Sequence, residues 1–108
     1  MKVKELIEKL DLTVLALGDT DKDCEGCYSG DLLSWVMSRA KENDIWLTVM
    51  GNVNAVAVAV LTDCACIVLT ENSVLDDNAA ERAAQQSVTI LRSEKNAYEL
   101  SVLISKLI

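Results

Sequence analysis

The cysteines have the spacing most suggestive of chemistry: Cys24-Glu25-Gly26-Cys27 is a CxxC and Cys64-Ala65-Cys66 a CxC. A CxxC just ahead of a helix lowers thiol pKa, and four thiolates together can hold zinc or an iron-sulfur cluster. The separation of the two pairs is not that of a zinc ribbon, however, and Cys64 and Cys66 stand where an α/β core takes small buried apolar residues. Packing is the reading for that pair. A metal or thiol redox role is left to Cys24 and Cys27, and no cofactor is expected. The carboxylates Asp19, Asp21 and Asp23, and the pair Asp76 and Asp77, raise the question of a divalent cation. The calcium-loop pattern is absent, and acids at a helix start are ordinary dipole partners.

Missing chemistry narrows the field further. The chain has no histidine, which removes serine-histidine and cysteine-histidine nucleophiles, histidine bases and histidine metal ligands. Neither GxxxxGK[ST] nor GxGxxG occurs, so a phosphate-loop kinase and a Rossmann dehydrogenase are excluded. A net charge of −7, with scattered bases and no interleaved aromatics, speaks against a nucleic-acid partner.

The elements that would position any site follow from periodicity. Val3, Leu6, Ile7 and Leu10 mark one face of a short helix; Thr13-Val14-Leu15-Ala16-Leu17 reads as a strand. Residues 18–30 read as a long polar loop. Leu32, Leu33, Val36, Met37 and Ala40 keep helical spacing, with Ser29 or Asp31 as the cap, and Ile45-Trp46-Leu47-Thr48-Val49-Met50 is the second strand. Residues 52–63 fit either a strand or a buried helix; a helix keeps the alternation of the whole chain regular. Cys66-Ile67-Val68-Leu69-Thr70 gives a third strand, residues 76–86 an alanine-rich helix, and Ser87-Val88-Thr89-Ile90-Leu91 a fourth strand. Asn96 and Glu99 form a capping box before a last helix with Leu100, Leu103, Ile104 and Leu107 inward.

The expectation is one α/β domain over residues 1–108, a three-layer sandwich with a mostly parallel four-stranded sheet and helices on both faces. Its longest apolar run, residues 55–61, is far short of the roughly 20 residues a membrane span needs. The first residues lack the apolar block of a signal peptide, so no membrane partner and a cytoplasmic location are expected.

Open α/β sheets bind ligands beyond the carboxyl ends of their strands. Those ends are Gly18-Asp19-Thr20, Gly51-Asn52-Val53-Asn54, Thr70-Glu71-Asn72-Ser73 and Arg92-Ser93-Glu94. Turns and helix caps use the same small polar residues, which is the leading reading from placement alone. As ligand-binding candidates they give Gly18, Asp19, Gly51, Asn52, Asn54, Thr70, Glu71 and Asn72.

The segments Tyr28-Ser29-Gly30-Asp31-Leu32-Leu33-Ser34-Trp35-Val36-Met37, Trp46-Leu47-Thr48-Val49-Met50 and Asn54-Ala55-Val56-Ala57-Val58-Ala59 resemble stand-alone members of the DRTGG-domain family, over roughly residues 13–108. The same domain accompanies CBS domains and some phosphotransacetylases, and is similar to the N-terminal domain of HPr kinase/phosphorylase. The resemblance implies a regulatory or ligand-sensing module, commonly a homodimer, with no catalysis of its own. Stand-alone members are often encoded near iron-only hydrogenase genes, which implies a redox-protein partner. Of the signature Thr-Gly-Gly, only Thr70 is kept at Thr70-Glu71-Asn72, and its Asp-Arg part has no counterpart near Gly51-Asn52. The leading expectation is a homodimeric sensor of a small anionic ligand such as a nucleotide. The alternatives are an accessory subunit of a redox system, which exposed Trp35 and Met37 would favour, and a thiol protein built on Cys24 and Cys27.

Overall fold

The computed structural model describes residues 1–108. In chain order the elements are α1 (Val3–Lys9), β1 (Thr13–Ala16), β2 (Gly26–Ser29), α2 (Leu33–Arg39), β3 (Asp44–Thr48), α3 (Val53–Thr62), β4 (Cys66–Leu69), α4 (Asp77–Gln85), β5 (Ile90–Arg92) and α5 (Ala97–Ser105). The strands form one sheet in the order β1-β5-β4-β3-β2, in which β2 to β5 run parallel and β1 runs antiparallel to β5.

The apolar runs of β3 and β4 have a simple cause: both faces of these strands are covered, and every residue in them is buried. Their side chains alternate between two cores. Trp46, Ile67, Leu69 and Ile90 pack with Val36 of α2, Ala55, Val56 and Ala59 of α3, and Ala79 and Ala83 of α4. Ile45, Leu47, Cys66, Val68 and Leu91 pack on the opposite side with Val3 and Leu6 of α1 and Leu100 and Ile104 of α5. Each fully buried side chain of this size contributes roughly 1.5–3 kcal/mol. The result is the expected three-layer sandwich. The Trp46 indole also donates Nε1–H to the Gly30 carbonyl at 2.9 Å, so the largest core side chain leaves no polar group unmet.

The sheet has five strands, not four. The additional one, β2, lies inside the stretch expected to be loop; as an edge strand with Cys27 and Ser29 exposed, it carries no apolar alternation, and pairing with β3 defines it. β5 begins at Ile90, not Ser87, because Ser87 has φ 56° and still belongs to the turn after α4. The cap expected from Ser29 or Asp31 is not made: α2 starts after Leu32 without a side-chain cap, and Asp31 Oδ1 instead accepts from Thr48 Oγ1 and the Val49 amide. Residues 53–62 are helical, as the alternation required, and the Asn96–Glu99 capping box opens α5. No helix is long and apolar enough to cross a membrane.

Gly51, between β3 and α3, lies directly against the next loop: a Cβ there would collide with the Val74 carbonyl oxygen, and the Gly51 carbonyl accepts from the Asp76 amide at 2.8 Å. Gly51→Ala must push these backbones apart. It is expected to lower the free energy of urea unfolding by roughly 1–3 kcal/mol.

Candidate functional site

Because β2 to β5 are parallel, their carboxyl ends share one edge, and this edge carries Gly51, Asn52, Asn54, Thr70, Glu71 and Asn72. Gly18 and Asp19 are elsewhere. In place of the parallel β1 expected from the chain's alternation, β1 pairs Thr13 with Arg92 and Ala16 with Ile90, so it starts at the carboxyl edge and ends at the opposite one. There the Gly18 amide donates to Thr89 Oγ1 and the Asp19 amide to the Ser87 carbonyl. The reversal brings Thr13 to the edge in their place.

Most of the expected residues on that edge are engaged in structure. Asn52 is the N-cap of α3, its Oδ1 accepting from the Ala55 amide at 2.9 Å, and Asn54 is exposed on the first turn. Thr70 is buried; its amide donates to the Thr48 carbonyl, and its own carbonyl accepts from Ser73. Glu71 and Asn72 both have φ 55°, in the left-handed region. Their amides donate to the Lys95 and Ser93 carbonyls, and the Ser93 amide donates back to Leu69, so the β4 and β5 loops are tied together. The β4 loop is thus held by backbone bonds to the end of β3 and to the β5 loop.

The open space lies one strand over. A cleft of about 440 Å³ is lined by Thr13, Asn72, Arg92, Ser93 and Lys95. Asp11 and Glu94 also border it. The ion pairs of the molecule are Lys2–Asp23, Lys4–Asp21 and Lys22–Asp63, which leaves Arg92 and Lys95 without a carboxylate within salt-bridge range. A guanidinium, an ammonium, a carboxamide and two hydroxyls around one cleft suit an anion of several oxygens. Arg92, Lys95 and Thr13 were outside the sequence-based candidates. A cation closing the last strand was the legible signal for Arg92; nothing in the sequence announced the direction of β1. The same ion pairs engage two of the aspartates that raised the question of a cation, Asp23 with Lys2 and Asp21 with Lys4, which holds the Asp21 carboxyl below its ordinary value; Asp19 Oδ1 accepts from the Asp21 amide, and Asp76 and Asp77 stand at the start of α4.

The CxxC does not form a unit. Cys24 is buried, whereas Cys27 is exposed on β2. No helix follows the motif directly, since β2 intervenes before α2. The Cys24 thiol is lowered by a hydrogen bond with Cys66, not by a helix terminus. Partial desolvation on the sheet edge and the Asp44 carboxylate push Cys27 up to about 11, and burial pushes Cys64 up to about 12. Cys64 and Cys66 fill the two opposite cores, as the packing reading required. No group of three His, Cys, Asp or Glu side chains is placed to hold a metal ion.

A family model described as the DRTGG domain matches residues 30–107. The chain belongs to the DRTGG domain family. No curated protein matches it. Among solved structures it is similar to the CBS and DRTGG domains of the regulatory region of a Clostridium perfringens pyrophosphatase, complexed with the activator diadenosine tetraphosphate, with a TM-score of 0.77 at 13% identity. The match covers 95% of this chain and 45% of that one, and at such identity the likeness is one of fold.

The DRTGG signature acquires a physical reading from this geometry. The resemblance would put its two glycines at Glu71 and Asn72, consecutive residues with positive φ, where glycine sits without steric cost. With their amides bonded to the β5 loop, that pair of positions sets a backbone path. Left-handed backbone costs a side-chain-bearing residue about 1–2 kcal/mol, partly offset by the entropy a glycine loses on folding. Glu71→Gly is therefore expected to stabilise this DRTGG domain by about 0.5–1 kcal/mol in thermal unfolding, and Glu71→Val to destabilise it.

Proposed function

We propose that this DRTGG domain is a non-catalytic regulatory module, cytoplasmic and homodimeric, that senses a small anionic ligand of the nucleotide class in the cleft at the carboxyl edge. The observation that carries the reading is Arg92 and Lys95, both without a carboxylate partner, converging with Asn72 and Thr13 on one open cleft. The cleft is polar, with Leu10 as its one apolar residue, so it suits phosphate oxygens better than a nucleobase. The activator bound by the regulatory region of the pyrophosphatase, a polyphosphate flanked by two nucleosides, has that character. The absence of a phosphate loop and of histidine fits binding without phosphoryl transfer. In a chain of net charge −7, and with Asp11 and Glu94 bordering the same cleft, both local cations are needed for an anion to approach.

A second reading rests on its own observation. Trp35 is 55% exposed and Met37 50%, the condition set for an accessory subunit that binds a redox protein. The Arg39 guanidinium stacks over the Trp35 ring, 3.8 Å from its centroid. Large exposed side chains of this kind serve as anchors at interfaces. The two readings are compatible, one supplying the signal and the other its receiver.

Calorimetric titration of the full chain with diadenosine tetraphosphate and with ADP tests the sensor reading. Binding is expected, weakened at least tenfold by Arg92→Ala combined with Lys95→Ala, since charge-assisted hydrogen bonds are each worth about 1.5–3 kcal/mol. Absence of heat with both nucleotides at millimolar concentration, or equal affinity in the double variant, would overturn it.

A further inference from the structure

The two edge strands of the sheet are guarded differently. At β1 the pairing with β5 is irregular between Val14 and Ala16, and such a bulge turns an edge away from further strands. β2 pairs with β3 in unbroken register from Gly26 to Ser29 and has no strand on its other side. The Asp44 and Thr48 carbonyls accept from the Ala65 and Thr70 amides on the β4 side, whereas the Leu47 carbonyl accepts from the Gly30 amide. Ile45 and Leu47 therefore serve β2, and by the alternation of a strand Gly26 and Tyr28 turn their backbone groups toward them. Cys27 and Ser29 turn theirs outward, where no loop or terminus bonds their amides. Both side chains are exposed, no residue of β2 is charged, and the chain contains no proline, so the usual guards of an open edge are missing.

We propose that β2 pairs antiparallel with β2 of a second copy of this chain, about a two-fold axis at Tyr28, and so joins two sheets into one. The inference rests on the homodimer of the proposed function and names its interface. With the axis at Tyr28, the outward groups of Cys27 meet those of Ser29 in the second copy, and the symmetry repeats the exchange, so every outward backbone group of Cys27 and Ser29 is bonded. An axis at Cys27 would set Ser29 against Glu25, whose amide is already given to the Asn43 carbonyl. The pairing also ends by itself: the Met1 carbonyl takes the Cys24 amide, and a two-fold contact closes without growing into a fibre. On the axis the two Tyr28 side chains occupy the close, non-hydrogen-bonded position, on the face where Tyr28 packs against the Trp46 core.

Charge complementarity selects a second copy as the occupant. Two chains of net charge −7 repel each other unless the surfaces that meet are locally balanced. Beside β2 a cleft of about 450 Å³ is bordered by Glu25 and Glu42 together with Arg39 and Lys41, and neither base has a carboxylate within salt-bridge range. A two-fold copy presents the same set, so each sign can meet its opposite. The ligand cleft lies between β1 and the β5 loop, at the other side of the sheet, and the pairing leaves it clear.

Sedimentation velocity of the full chain under reducing conditions, combined with hydrogen exchange read amide by amide by NMR, tests the interface. The expected result is a dimer in which the Cys27 and Ser29 amides are protected along with those of Tyr28 and Gly30. Ser29→Pro removes an outward amide and no bond to β3, and Cys27→Lys puts a charge on the open edge. Each is expected to weaken the dimer by roughly tenfold or more. Each is also expected to speed exchange of the remaining outward amide, Cys27 in the first and Ser29 in the second, by roughly tenfold or more, while Tyr28 and Gly30 stay protected. A dimer whose Cys27 and Ser29 amides exchange freely, or one that both variants leave intact, would overturn this interface and leave a homodimer built elsewhere. A monomer with both amides free, its edge open to a strand of another protein, would overturn the interface and the homodimer together. The wild-type exchange pattern decides the point even where a variant fails to fold.

Discussion

β3 and β4 have no face turned to solvent, and the rest of the molecule follows from that constraint. A strand buried on both sides needs a helical layer above and below. Every core crossover, by α2, α3 and α4, therefore returns to start the next parallel strand from the same end. The carboxyl ends of β2 to β5 then converge on one edge, and the polar loops that follow them are gathered there. The alanines of α3 and α4 belong to the same requirement. Ala55, Ala59, Ala79 and Ala83 let two helices lie close over the large side chains Trp46, Ile67 and Leu69.

Against this regular frame, the reversed strand β1 makes the difference between a filled edge and an open one. Between β3 and β4 the loops meet each other, through Gly51 against Val74 and the Asp76 amide on the Gly51 carbonyl. Beyond β5 the next strand arrives from the opposite direction. Its first residues, after the Leu10-Asp11 turn, stand apart from the β4 and β5 loops and leave a cleft between them. The left-handed pair Glu71 and Asn72 supports the same cleft from the other side by tying the β4 loop to Ser93 and Lys95. The left-handed pair thus lies in the loop that borders this space.

Helices α1, α2 and α5 were legible because each has a periodic apolar face, and the central strands because continuous runs such as Cys66-Ile67-Val68-Leu69 read as buried. The α3 segment, ambiguous by pattern, was settled by the alternation of the chain. What escaped lacks a local signal. Gly26-Cys27-Tyr28-Ser29 is a strand only through its pairing with β3, and the direction of β1 is a tertiary fact with no trace in Thr13-Val14-Leu15-Ala16. That direction misplaced Gly18 and Asp19 and concealed Thr13. Likewise the CxxC spacing is a property of the chain, whereas the fold buries Cys24 in the core with α1 and α5 and leaves Cys27 exposed on β2.

The account rests on the cleft beside β5 being where the domain meets its ligand. Amide correlation spectra of isotopically labelled full chain, titrated with diadenosine tetraphosphate, address this directly. The account predicts shifts centred on Thr13, Asn72 and residues 92–95, with Gly18, Asp19 and the exposed face of α2 unmoved. Shifts centred on α2 or on the amino end of the sheet would contradict it.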